Sequence, residues 1–259
     1  MENIALQNHK CFSRSVRYGF YATLPLFLHY ALVKSGSILA NSTMDMILNA
    51  ELILRKTVTL FGYLPDGFIP IFWISFVVIL CLWEKKKMGP ISPANEDFLK
   101  TMFEALPWVG VLLAAHYVIL FTQPDSPAEF QSPFSYLSEL LAMKSGAGFF
   151  EEFLCRLILL GGMLQIMKKC KVNYTISCII GITLSSFVFA EMHYFHFFPE
   201  LGQAYGVIEN FNNPYSPFGF FFRFISGVIL GWIYITRGFA VAAWSHAMYG
   251  YFSLIEFFA

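Results

Sequence analysis

Apolar residues fill this chain in blocks about as long as a membrane-crossing helix, with the polar residues gathered between them. A bilayer core of about 30 Å takes about 20 helical residues to cross. Seven stretches come near that length, at 18–34, 67–83, 105–122, 147–167, 174–197, 218–236 and 239–258. The run from Tyr18 to Val33 follows Lys10, Arg14 and Arg17, as the apolar part of a signal peptide would. It is long for that role and contains Pro25 and His29, so it reads as a first span. Residues 44–61 are apolar at helical spacing but carry Glu51, Arg55 and Lys56, which suits an amphipathic helix at the interface better than a span. The chain shows no internal repeat and no low-complexity segment, and its loops are short. The pattern therefore predicts a single integral-membrane domain over residues 1–259. Its fold class is all-α: a polytopic transmembrane bundle of about seven spans enclosing an intramembrane polar site.

Composition agrees with that pattern. The chain is 57% hydrophobic and 13% charged, where an ordinary soluble domain has about 25% charged residues. Formal net charge is +0, so charge implies no nucleic-acid partner. Cys11, Cys81, Cys155, Cys170 and Cys178 are scattered without a CxxC pair, which points to neither a disulfide framework nor a zinc ribbon. The basic residues give a trial orientation with the N-terminus in the cytoplasm. Eleven then lie inside (Lys10, Arg14, Arg17, Lys85, Lys86, Lys87, Lys100, Lys168, Lys169, Lys171 and Arg237), and four lie outside (Lys34, Arg55, Lys56 and Lys144).

Ionisable residues inside the spans stand out, because a charge in hydrocarbon costs several kcal/mol unless it is paired or hydrated. Glu151 and Glu152 head one apolar run, Arg156 follows them, and His193 and His246 lie in two others. Residues four apart share a helix face, so Glu152 and Arg156 pair within their own helix, and Phe189 lies on one face with His193. Glu151 is turned by about 100° from Glu152 and has no cation of its own, leaving it directed at a cavity. Such a carboxylate can take a proton from water while one imidazole orients that water. A second imidazole can donate to the oxyanion that forms on an amide. There is no GxSxG and no HExxH. His29, His116 and His196 read as packing or interfacial histidines, and Arg223 as a snorkelling or paired one.

Three segments resemble the motifs of the CAAX protease and bacteriocin-processing family, glutamic intramembrane proteases that include the Ras-converting enzyme. The family's EExxxR corresponds to Glu151-Glu152-Phe153-Leu154-Cys155-Arg156, and its FxxxH to Phe189-Ala190-Glu191-Met192-His193. Its HxxxN corresponds to His246-Ala247-Met248-Tyr249-Gly250, and Gly227 to Gly238 resembles the run that leads into it. The resemblance covers about 105–258. It implies an intramembrane endopeptidase in which Glu151 and His193 activate water and His246 holds the oxyanion. Glu152, Arg156 and Phe189 would support the site, with no cofactor and no metal. It further implies a membrane-attached protein or peptide as substrate (a CAAX tail, a bacteriocin precursor or a C-terminal sorting tail) and a multi-pass protein of a bacterial or archaeal cell membrane. Gly250 departs from the pattern by standing where the family has asparagine, so one oxyanion donor is missing; Tyr249, Ser245 or a water would have to replace it.

Three rival readings remain at this point. A catalytically impaired relative, acting as an immunity or scaffolding membrane protein, is favoured by Gly250. A metalloprotease ligated by Glu151, His193 and His246 would lack a tight ligand pair. A transporter would explain buried carboxylates, but the chain lacks repeats and paired broken helices.

Overall fold

The structure is a computed structural model that describes residues 16–39, 48, 50, 51, 53, 54, 75, 82, 95–120, 137–194 and 216–258. Every element among them is helical. α1 is Val16–Leu39, α2 Asn95–Leu120 and α3 Leu137–Glu152. A π-helical stretch, Phe153–Leu160, carries α3 directly into α4, Gly161–Lys169. α5 is Tyr174–Glu191, α6 Pro217–Arg237 and α7 Phe239–Phe258. Phe98–Ile119, Tyr174–Glu191 and Pro217–Arg237 are long and apolar enough to cross a membrane. The expected span at 67–83 lies outside the described residues apart from 75 and 82.

Several edges differ from the sequence expectation, each for a packing reason. α2 begins ten residues before the expected 105, because its polar end has partners: Glu104 Oε1 meets Arg237 Nη1 at 2.7 Å, and Thr101 is hydrogen-bonded to the Tyr18 hydroxyl. α3 begins at Leu137 rather than 147. Its polar residues there lower the hydropathy but are held inside: Ser145 Oγ contacts Tyr251 Oη at 2.6 Å and His29 Nδ1 at 2.7 Å. α5 ends at Glu191, so His193 sits in the turn that follows rather than within the expected 174–197 helix.

Residues 48, 50, 51 and 54 of the expected interfacial helix are buried inside the protein. The Glu51 carboxylate accepts from Lys34 Nζ at 2.9 and 3.1 Å and from the Tyr30 hydroxyl, so a charge expected at the surface is neutralised indoors.

The turns follow from local chemistry. Asn173 caps α5 by accepting the Thr175 and Ile176 amides, and Ser216 caps α6 with Pro217 at its first position. Gly238 joins α6 to α7 at φ 96°, a left-handed conformation that costs glycine little.

α7 is the central helix, packed against α1, α2, α3 and α6. Its first turns are buried all round, from Phe239 through Ser245, the pattern of a helix with no polar face. A run of alanines, Ala240, Ala242, Ala243 and Ala247, lets its neighbours approach closely. The tightest approach is at Gly148 of α3, where a Cβ would lie 2.7 Å from Ala243 O and 3.0 Å from Ala247 N. Across the bundle, Gly227 of α6 admits Ser186 of α5, whose Cβ would be 2.9 Å away. These two contacts seat α3 on α7 and α5 on α6, which itself packs against α7.

Gly148→Ala forces α3 off α7 and is expected to destabilise by about 1–3 kcal/mol, read as a lowered midpoint of thermal unfolding in detergent. Gly110→Ala, where a Cβ meets nothing within 4 Å among the described residues, is the control. Its midpoint should hold or rise, since alanine is the better helix former.

Candidate active site

The polar centre begins where α3 gives way to the π-helical stretch. Glu151 and Glu152 are the last residues of α3, and Arg156 lies one turn on. The wider turn is closed by the Gly161 amide reaching back to Arg156 O. Such π-turns within longer helices recur at functional positions. Glu152 and Arg156 are entirely buried, with Arg156 Nε 3.1 Å from Glu152 Oε2. The contact is electrostatic rather than a well-angled hydrogen bond, and Arg156 Nη1 and Nη2 have no hydrogen-bond partner among the described residues. The guanidinium instead lies 4.8 Å from the Phe189 ring centroid, a cation–π contact strengthened by the absence of solvent.

Glu152 has a second partner that helix geometry alone did not reveal. Its Oε1 accepts a hydrogen bond from His246 Nδ1 at 2.9 Å, across from α7. The carboxylate is thus shared between a cation on its own helix and an imidazole on another. His193 is oriented in a similar way, because its Nδ1 donates to Phe189 O at 2.8 Å. A carbonyl can only accept, so Nδ1 carries the proton in His193. The same reasoning applies to His246 against the ionised carboxylate. In both rings this leaves Nε2 on the far side.

Both Nε2 atoms face Glu151. His193 Nε2 lies 3.7 Å and His246 Nε2 3.9 Å from Glu151 Oε2, which has no hydrogen-bond partner among the described residues. The three groups singled out from the sequence therefore converge on one point, from α3, the end of α5 and α7. Phe189 ties them together: its ring centroid is 5.0 Å from that of His193 and 5.7 Å from that of His246, both edge-on. Side-chain exposure is 27% for His193, 14% for His246 and 8% for Glu151, so the point is reached from the His193 side.

Other sequence candidates are occupied elsewhere. His116 Nδ1 contacts Tyr249 Oη at 2.6 Å, and His29 contacts Ser145, as expected of packing histidines. Arg223 donates to the Tyr194 hydroxyl and lies over that ring at 4.8 Å. Ser245 donates to Val241 O at 2.7 Å. His196 lies outside the described residues. Cys155, Cys170 and Cys178 are free thiols, and among the described residues no cluster of His, Cys, Asp or Glu is arranged to hold a metal ion. Helix spacing shows Glu152 as a partner of Arg156 alone.

Among known families, the model described as type II CAAX prenyl endopeptidase Rce1-like matches residues 133–252. That segment holds all three motifs, so the family match and the resemblance drawn from them fall on the same residues. No curated protein and no solved structure matches the chain.

The shared carboxylate gives a stability test. Glu152→Gln leaves Arg156 as a buried, uncompensated charge and is expected to cost about 3–5 kcal/mol. Arg156→Met should cost a similar amount by stranding the carboxylate. The double variant should recover much of the loss in a thermal or denaturant double-mutant cycle, because replacing a buried pair is cheaper than breaking it.

Proposed function

Starting from the family match over residues 133–252, we propose that this integral membrane protein is a glutamic-type endopeptidase that cleaves a membrane-attached protein or peptide near its membrane end. The observation that carries the reading is the single carboxylate oxygen, Glu151 Oε2, facing two imidazole Nε2 atoms at 3.7 and 3.9 Å. Those separations are too long for direct hydrogen bonds and suit one small molecule held between the groups. Glu151 Oε2 and the neutral His193 Nε2 are acceptors, so the molecule they favour is one that donates, such as water.

In this reading Glu151 takes a proton from the water as its oxygen bonds to the scissile carbonyl carbon. His193, fixed by its bond to Phe189 O, holds the water on the attacking line. His246 acts in protonated form, donating from Nε2 to the carbonyl oxygen as it becomes an oxyanion. Glu152 holds that ring through Nδ1, and Arg156 pairs with Glu152. When the adduct collapses, the proton on Glu151 passes to the leaving amine.

For the substrate, the family's description points to a lipid-anchored C-terminal tail. A polar point reached from the His193 side of a bundle suits a tail held beside the membrane.

Gly250 favours one rival, a catalytically impaired relative. Mass spectrometry of membrane proteins from cells expressing the wild type or Glu151→Gln separates the two. A processing enzyme should yield shortened membrane-protein termini that disappear in Glu151→Gln, and purified protein should lose at least about 10²–10⁴-fold in rate with this change. His193→Ala should fall into the same range, and chelators should have no effect. Identical termini in wild type and Glu151→Gln would establish the impaired relative instead.

A further inference from the structure

Lys144 stands two turns before Glu151 in α3. Seven residues at about 100° each return to nearly the same direction, so Lys144, Gly148 and Glu151 share one face. Gly148 packs on Ala243 and Ala247, which shows that this face is turned to α7. One turn further along, the lysine stem lies against Gly250: a Cβ built there would meet Lys144 Cδ at 2.8 Å and its Cβ and Cγ at 3.0 Å. The volume a side chain at 250 would take is already filled by the stem of Lys144.

Its amine is uncommitted among the described residues. Lys144 forms no ion pair and no hydrogen bond among the described residues. Burial acts most strongly on it and disfavours its charge; Glu151 attracts that charge and Arg223 repels it. Residues nearer in sequence to Gly250 cannot take the role as well. The Ser245 hydroxyl is directed to Val241 O at 2.7 Å, and the Tyr249 hydroxyl to His116 at 2.6 Å.

We infer that Lys144 is a catalytic residue that supplies, from α3, the second oxyanion donor absent from α7 at Gly250. The inference rests on the endopeptidase reading of Glu151. As the water oxygen bonds to the carbonyl carbon, the carbonyl π pair moves onto its oxygen, and the water proton goes to Glu151. Lys144 keeps all its protons and donates one N–H to the new oxyanion beside His246. On collapse the pair returns, the C–N bond breaks, and the proton held by Glu151 leaves with the amine. The Lys144 stem also blocks a side chain at 250, so the glycine and the lysine are one exchange seen from two helices.

The test uses the full chain in lipid nanodiscs and a quenched fluorescent peptide ending in a farnesylated CAAX tail. Lys144→Met keeps the stem against Gly250 and removes the ammonium. It should lower kcat by about 10²–10³-fold with KM changed less than about threefold, the signature of a lost oxyanion donor. Its unfolding midpoint should match that of the wild type. Gly250→Asn alone collides with the stem and should lower the midpoint. Lys144→Ala with Gly250→Asn removes the collision, restores an amide donor and should regain at least tenfold in kcat over Lys144→Met. Wild-type kcat in Lys144→Met, with Glu151→Gln inactive, would overturn the role of Lys144 and leave the endopeptidase reading standing. Activity in Glu151→Gln would overturn both.

Discussion

One carboxylate with two obligations organises the centre of this protein. Glu152 is entirely buried, and it must neutralise Arg156 on its own helix while accepting from His246 on α7. Neither cation nor anion is tolerable alone in such surroundings, since an unpaired buried charge costs several kcal/mol. The pair lies within one continuous helix, so it is the hydrogen bond from His246 that fixes α7 against α3. His246 Nδ1 is held by this bond, which turns Nε2 toward Glu151. Charge compensation, which makes the bundle stable, also aims the imidazole.

The second requirement is close approach. Water-excluded ion pairs need helices near enough for short side chains to meet. Small residues allow this: Gly148 against Ala243 and Ala247, and Gly227 against Ser186. In a membrane the hydrophobic effect gives helices little reason to associate, so such contacts and interhelical hydrogen bonds carry the association. Phe189 adds a rigid surface on which the guanidinium of Arg156 and the rings of His193 and His246 all rest. Its place four residues before His193 follows, because the ring and the carbonyl of one residue serve two neighbours.

Much of this was legible from the chain. The Glu152–Arg156 pair was implied by a four-residue spacing, and it forms at 3.1 Å. The separation of Glu151 from that pair was implied by one residue of helical rotation, and its carboxylate faces two imidazoles from other helices. The helix edges were less legible. Hydropathy placed the start of α3 at 147, yet the helix begins at Leu137, because Ser145 finds partners in His29 and Tyr251 that an averaging window counts only as polarity. Glu51 misled for the same reason. Its charge suggested an interface, but Lys34 and Tyr30 satisfy it in the interior.

The sequence by itself settled the all-helical character, the presence of apolar helices long enough for a bilayer, and the identity of the residues that carry charge into them. Those properties are local, since helical periodicity relates only residues within about two turns of one another. The tertiary structure alone decided that Glu152 serves His246, ninety-four positions away, and that Lys144 fills the space beside Gly250. Contacts between helices depend on how closely two backbones can approach and on which rotamers then fit between them. No spacing along a single helix encodes that distance.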